Sequence, residues 1–111
     1  MEKLAIIRKA LDDINAFDLA IYDMKGVSPF YDYMVIASVS STRGLNAAIR
    51  HLSDDLSEAG HTKYRVEGKE SDSWVLFDAK DIIVNIFTKE ERLYYDIEKV
   101  LAGVPKVQLG S

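Results

Sequence analysis

The hydrophobic pattern is clearest between Ser71 and Phe87, where the apolar segments WVLFD and DIIVNIF flank a polar corner. This pattern predicts two antiparallel strands joined by a turn. Successive strand residues point to opposite faces of a sheet, so each strand divides into two sets of side chains. With Phe77 placed opposite Ile82, one set from each strand combines into a first face that is wholly apolar and is predicted to face the core. Its members are Val75, Phe77, Ile82, Val84 and Ile86.

The second face of these strands is also mostly apolar, and its only carboxylates are placed at the end next to the turn. Its members are Trp74, Leu76, Ile83, Asn85 and Phe87, with Asp78 and Asp81 opposed at the turn. A face in contact with water would be polar, so either a helix covers this face or another molecule binds to it. Trp74 follows a polar loop, and large aromatic residues commonly anchor protein interfaces. Burial of Trp74 in the core is the alternative.

The rest of the chain alternates between helical and extended patterns. An apolar stripe at spacings of three and four predicts a helix over residues 2–15, and a similar stripe predicts one from Ser40–Thr42 to Gly60. Strands are predicted over residues 17–24, 33–39 and 63–67. The continuous apolar run at 33–39 indicates a central strand that is buried on both faces.

Thr88 and Glu91 have the spacing of a capping box, which predicts that a last helix begins here. That helix is expected to bury Leu93, Ile97 and Val100 or Leu101, while Arg92 and Asp96 are expected to form a surface ion pair. Residues 1–102 are therefore predicted to form a single α/β (α+β) domain with a mixed five-stranded sheet flanked by helices. Residues 103–111 are predicted to be a flexible tail.

Composition excludes several kinds of protein. The chain has 111 residues, a net charge of −4 and no cysteine, so disulfides and thiolate metal sites are excluded. Its charged amino terminus and the absence of a long apolar segment predict a cytoplasmic protein without a membrane span. The negative charge is unfavourable for broad contact with nucleic acid, and no sequence-specific binding to nucleic acid is expected.

The candidate chemistry is sparse. His51 and His61 are ten positions apart and are joined by no suitably spaced acid, so no metal site is predicted. Neither phosphate-binding glycine motif is present, and no nucleophile has a recognisable histidine partner. No cofactor and no enzymatic activity are therefore expected.

Three segments, DYMVIASVSSTR, VEGKESDSWVLFDAKDIIVNIF and ERLYYDIEKVL, resemble the ribosome silencing factor family, which is related to plant Iojap. The likeness runs from about Asp18 to Leu101 in the correct order. It implies a nucleotidyltransferase-like fold without catalytic motifs. Asn85 stands where a histidine is common in the family.

The resemblance also implies a function and a partner. Such a factor binds the large ribosomal subunit through uL14, the fourteenth of its universal proteins. It then sterically blocks association with the small subunit and damps translation when nutrients are scarce. The expected partner-binding residues are those of the second face and its turn end: Trp74, Leu76, Asp78, Asp81, Ile83, Asn85 and Phe87. Whether the free protein forms a homodimer is left open, and a nucleotide-binding or nucleotidyl-transferring enzyme of related fold is the alternative function.

Overall fold

The extended segments assemble into one mixed sheet flanked by helices. The computed structural model of the protein describes residues 2–107. The elements in chain order are α1 (Lys3–Asp13), β1 (Phe17–Asp23), β2 (Tyr33–Val39), α2 (Thr42–Glu58), β3 (Arg65–Glu67), β4 (Trp74–Asp78), β5 (Ile82–Thr88), α3 (Lys89–Tyr94) and α4 (Ile97–Val100). The strand order is β1-β2-β5-β4-β3. The α+β fold class and the five-stranded mixed sheet are therefore confirmed.

The parallel pair of β2 and β5 forms the centre of the sheet. The two strands pair along their full length, from Tyr33 opposite Ile82 to Val39 opposite Thr88. The other neighbouring strands are antiparallel. Residues 35–39 of β2 are all buried, as the continuous apolar run of this strand predicts.

The first face of the sheet packs against α1 and α2 and forms the main core. The predicted core residues of β4 and β5 are at most 3% exposed: Val75, Phe77, Ile82, Val84 and Ile86. They share one cluster with helix residues that include Ile7, Leu11, Leu45 and Leu52. Here the sequence prediction is confirmed.

The register of β4 and β5 differs from the expected one by two residues. Phe77 lies opposite Val84 rather than Ile82, and Asp78 lies opposite Ile83. The turn is closed by a hydrogen bond from the Ala79 N–H to the Ile82 carbonyl, 2.9 Å long, which places Ile82 opposite Ala79 rather than Phe77. A shift of two residues leaves each side chain on its original face, so the predicted faces are unaffected.

The predicted last helix is broken into two short helices. The Thr88 hydroxyl accepts a hydrogen bond from the Glu91 N–H at 3.4 Å, as expected of the capping residue. The backbone of Tyr95 is extended, with φ of −96° and ψ of 110°, and this ends α3. The prediction that Leu93 is buried was wrong, since it is 81% exposed; of the two alternatives Val100 and Leu101, Leu101 is the buried one. The break instead directs α4 back across the second face of the sheet, where Leu101 is buried.

Residues 103–107, which the sequence analysis assigned to a tail, are bonded to the outer edge of β1. The Asp23 N–H donates to the Pro105 carbonyl at 2.8 Å, and the Val107 N–H donates to the Ile21 carbonyl at 2.7 Å. Gly103, the first residue of this segment, has a φ of 91°, a left-handed conformation that glycine adopts without steric cost. Residues 108–111 of the predicted tail lie outside the described residues.

Several smaller boundaries also differ from the predictions. The strand predicted over 63–67 covers only Arg65–Glu67, and Ala59, which was expected to be buried beneath α2, is exposed. Ser41 occupies the N-cap position of α2, but its side chain makes no capping hydrogen bond. Between residues 2 and 107, no helix is long and apolar enough to cross a membrane.

We predict that Val84→Ala lowers the free energy of unfolding by roughly 1–3 kcal/mol, through lost apolar burial and a residual cavity. Val84 is fully buried in the central strand, whereas Val100 is 82% exposed. The matched substitution Val100→Ala should therefore change stability by less than about 0.5 kcal/mol. Urea unfolding of both variants measures the difference, and equal effects would contradict the assignment of the two faces.

Candidate functional site

The second face of the sheet is only partly covered. The C-terminal segment packs over β1 and the adjoining part of the sheet and buries a second cluster, which consists of Ala20, Tyr22, Met24, Ile36, Phe87 and Leu101. Beyond the edge of this cover, side chains of β2, β4 and β5 stay partly exposed on the same face: Met34, Trp74, Leu76 and Ile83. An apolar strip therefore remains accessible where the cover ends.

Trp74 is held in one orientation at the border of this strip. Its ring stacks on Phe87, with centroids 4.9 Å apart and an interplanar angle of 25°. Its indole N–H donates a hydrogen bond to Oδ1 of Asn85 at 3.1 Å. The ring of Tyr95 packs against it as well, at a centroid distance of 5.3 Å. The tryptophan is thus fixed in place and still partly exposed.

Two predicted contact residues lie behind the accessible surface rather than in it. Asn85 is 3% exposed and Phe87 is fully buried. We correct the expectation that these two side chains are open to a partner. The sequence prediction failed here because the C-terminal segment and Trp74 itself cover this end of the face. Asn85 and Phe87 instead orient Trp74.

The two carboxylates at the turn were expected to oppose each other, but they do not. Asp81 forms an ion pair with Lys3 of α1, with a nitrogen–oxygen distance of 2.7 Å. Asp78 accepts a hydrogen bond from the Tyr31 hydroxyl at 2.9 Å and lies 3.5 Å from the guanidinium of Arg65. Its side chain is only 14% exposed. Each acid therefore has its own internal partner, and the predicted acidic pair is absent.

The pKa of Asp81 reflects its position beside α1. Partial burial opposes ionisation of this carboxyl, but the hydrogen bond and charge of Lys3, together with a backbone N–H, hold its pKa below the ordinary value. A carboxyl whose pKa is lowered by folding stabilises the protein above its unfolded-state pKa, and this contribution is lost as the pH falls through the folded-state pKa. Asp81 thus stabilises the docking of α1 at neutral pH.

Arg92 fastens the C-terminal helices to the sheet, although the sequence predicted only a surface ion pair with Asp96. Its guanidinium donates to Oγ of Ser38 at 2.9 Å and to the backbone carbonyl of Asp18. Its carboxylate partner is Glu98, at 3.2 Å. The side chain is 12% exposed. Arg92 therefore joins α3, α4, β1 and β2 at one point.

Sequence reasoning also missed the aromatic residues beside Trp74. Tyr95 is 45% exposed, while Leu93 and Tyr94 are each 81% exposed. The rings of Tyr94 and Tyr95 meet edge to face, with centroids 5.5 Å apart. The helical periodicity predicted that Leu93 is buried. Because the helix ends at Tyr95, the side chains of Leu93, Tyr94 and Tyr95 are exposed to solvent instead. We define the contact surface as Met34, Trp74, Leu76, Ile83 and Tyr95.

The chemistry of this surface favours binding. Within the described part of the chain, no cluster of three or more His, Cys, Asp or Glu residues could hold a metal ion. In the same described residues, all buried side-chain nitrogen and oxygen atoms have hydrogen-bond partners. The accessible groups are mainly apolar and aromatic, as at the centre of protein interfaces. The fold and the surface together define a small α+β domain with a candidate surface for binding another protein.

Comparison with known proteins gives the family. The family model described as "Ribosomal silencing factor during starvation" (RsfS) matches residues 1–110. The ribosomal silencing factor RsfS of Bacillus subtilis is 36% identical over 106 residues, which are 96% of this chain and 90% of the relative. The chain belongs to the RsfS family.

A solved structure and a eukaryotic relative extend the comparison. A crystal structure of a protein from Chromobacterium violaceum superposes with a TM-score of 0.85 at 32% identity, covering all of this chain and 92% of that one. The mouse protein named "Mitochondrial assembly of ribosomal large subunit protein 1" is 30% identical over an alignment of 92 residues. The alignment covers 78% of this chain but only 39% of the mouse protein.

We predict that Arg92→Gln lowers the free energy of unfolding by roughly 1.5–3 kcal/mol, because charged hydrogen bonds to partly buried partners are lost. Loosening of α3 should also move Tyr95 away from Trp74 and shift tryptophan emission to longer wavelength. Lys99→Gln removes the same charge from an exposed site on α4 and serves as the control. Unchanged stability and emission in Arg92→Gln would show that Arg92 does not fasten the helices.

Proposed function

We propose that this protein represses translation by binding the large ribosomal subunit through uL14 and sterically blocking association with the small subunit when nutrients are limiting. The observation that supports this proposal is the apolar and aromatic contact surface left open on a member of the RsfS family. The name of the mouse relative, which refers to assembly of the large subunit, agrees with a partner on that subunit.

The contact surface has the properties of an efficient interface. Trp74 and Tyr95 are large aromatic residues, which are enriched among the residues that dominate binding energy. The stacking of Trp74 on Phe87 and its hydrogen bond to Asn85 fix the ring before any partner arrives. Binding would therefore cost little additional side-chain entropy. Leu76 and Ile83 extend the apolar area along β4 and β5.

Charge gives modest support to a basic partner. The chain carries a net charge of −4, which favours approach of a cationic protein. Asp78 stays at the end of the contact surface, whereas Asp81 is paired with Lys3 and is removed from our proposed interface. Since Asp78 is itself close to Arg65, most of the affinity is assigned to the apolar residues.

A steric mechanism has a distinct quantitative signature. We expect the protein to co-sediment with large subunits and to suppress joining of purified subunits in proportion to the fraction of large subunits occupied. Light scattering measures the extent of subunit joining, and its suppression should saturate at one protein per large subunit. Suppression by far less protein would indicate turnover and favour an enzyme, and absence from the large-subunit fraction would contradict the proposal.

Trp74→Ala should weaken binding to isolated uL14 by about 2 kcal/mol or more, roughly thirtyfold, because it removes an anchor from the interface. Trp74→Phe keeps a ring on Phe87 but loses the hydrogen bond to Asn85, so it should have an intermediate effect. Calorimetric titration measures affinity, and thermal unfolding of each variant separates binding from folding. A folded Trp74→Ala variant with unchanged affinity would remove Trp74 from the proposed interface.

A further inference from the structure

An open cleft of about 540 Å³ lies at the end of the sheet where β3 begins and β4 ends. It combines three aromatic side chains with three cationic ones. The aromatic residues are Phe30, Tyr31 and Tyr64, and the cationic residues are Lys63, Arg65 and Lys80. This volume is within the range of small-ligand sites in proteins. The carboxylate of Asp78 also lines the cleft, and because Asp78 lies at the end of the contact surface, the two surfaces adjoin there without sharing the residues that define the contact surface.

The aromatic residues are held in place around the cleft. Phe30 is 78% exposed, and its loop is fixed because Oγ of Ser28 accepts hydrogen bonds from the N–H groups of Phe30 and Tyr31, at 3.1 and 3.2 Å. Tyr64 stacks on the buried Phe77, with centroids 5.1 Å apart and an interplanar angle of 21°. The backbone at Phe30 and the ring of Tyr64 are thus fixed beside the cleft, so a planar ligand could stack on Tyr64 at low entropic cost and reach the exposed ring of Phe30.

The cations give the cleft a charge opposite to that of the whole chain. Among residues 2–107, neither Lys63 nor Lys80 forms an ion pair, and Arg65 is 73% exposed although it lies 3.5 Å from Asp78. A neighbouring depression lined by Lys3 and His61 shares Lys63 and Lys80 with this region. Positive charge is therefore concentrated here on a protein whose net charge is −4.

We propose that this cleft binds an unpaired nucleotide of single-stranded RNA, with its base against the aromatic side chains and the adjoining phosphates near Lys63 and Lys80. Aromatic rings next to cations are the common means of binding single-stranded nucleic acid without sequence preference. An acidic peptide would satisfy the cations but would leave the exposed Phe30 ring without a stacking partner. The inference does not depend on binding to uL14, because it concerns different side chains.

The test is fluorescence anisotropy of labelled hexauridylate RNA with the full chain at about 50 mM salt, where phosphate contacts are strong. Phe30→Ala should weaken binding at least about fivefold, whereas Leu93→Ala, which also truncates an exposed apolar residue, should not. Phe30→Leu keeps apolar bulk but removes the ring, and it should weaken binding nearly as much as Phe30→Ala.

The salt dependence tests the phosphate contact separately. Lys80→Gln should make the slope of log K against log salt less negative by about 0.7, which corresponds to one lost phosphate contact on a single strand. Lys69→Gln makes the same charge change beyond the opposite end of β3 and should leave the slope unaltered. Thermal unfolding of each variant confirms that it is folded.

Several results would overturn the proposal. These are the absence of RNA binding, equal losses in Lys80→Gln and Lys69→Gln, or equal competition by polyglutamate, which would leave only a charge effect. Competition by free UMP as effective as that by hexauridylate would assign the cleft to free nucleotides and overturn the assignment to RNA. Failure of any of these tests leaves binding to uL14 unaffected, because Trp74 and its neighbours are unchanged in every variant.

Discussion

The hydrogen bonds of Arg92 fasten to the sheet the short segment that covers part of its second face. Both long helices pack on the first face, so only the short C-terminal segment remains to cover the other one. That segment has little apolar area of its own, and Leu101, which is 8% exposed, is its only buried large residue among those described. A mostly buried guanidinium that joins Ser38, the Asp18 carbonyl and Glu98 therefore supplies directional contacts that a small apolar cluster lacks.

This incomplete cover accounts for the accessible surface and for its rigidity. The second cluster ends at Phe87, and Trp74 stacks on the outer side of that ring. The extended backbone at Tyr95 brings a second aromatic side chain against Trp74 while turning Leu93 and Tyr94 outward. The C-terminal segment, with its break at Tyr95, thus covers part of the face, packs against Trp74 and exposes the aromatic residues next to it. The surface is preorganised by the packing that stabilises the fold.

Periodicity predicted the parts of the structure that depend on local sequence. The core face of β4 and β5 was predicted correctly even though the register was wrong, because a shift of two residues leaves alternation intact. The break at Tyr95 was not predicted, since Thr88 and Glu91 form a good helix start and the packing of Tyr95 against Trp74, which is distant in sequence, leaves no local pattern. The ion pair between Lys3 and Asp81 was missed for a similar reason. It joins residues 78 positions apart, and no local pattern indicates it.

The contact surface and the basic cleft meet at β4 but would rely on different physical forces. The proposed apolar contacts around Trp74 would change little with ionic strength, whereas the proposed contacts of Lys63 and Lys80 with phosphates would weaken steeply as salt rises. A ribosomal site offers protein and RNA side by side, so a rigid domain bound to one of them would meet the other at high effective concentration. Two individually modest contacts would then give strong binding to the intact subunit and much weaker binding to either isolated component. Asp78 lies where the two surfaces adjoin. Its hydrogen bond with Tyr31 and its ion pair with Arg65 connect the end of the apolar strip to the wall of the cleft.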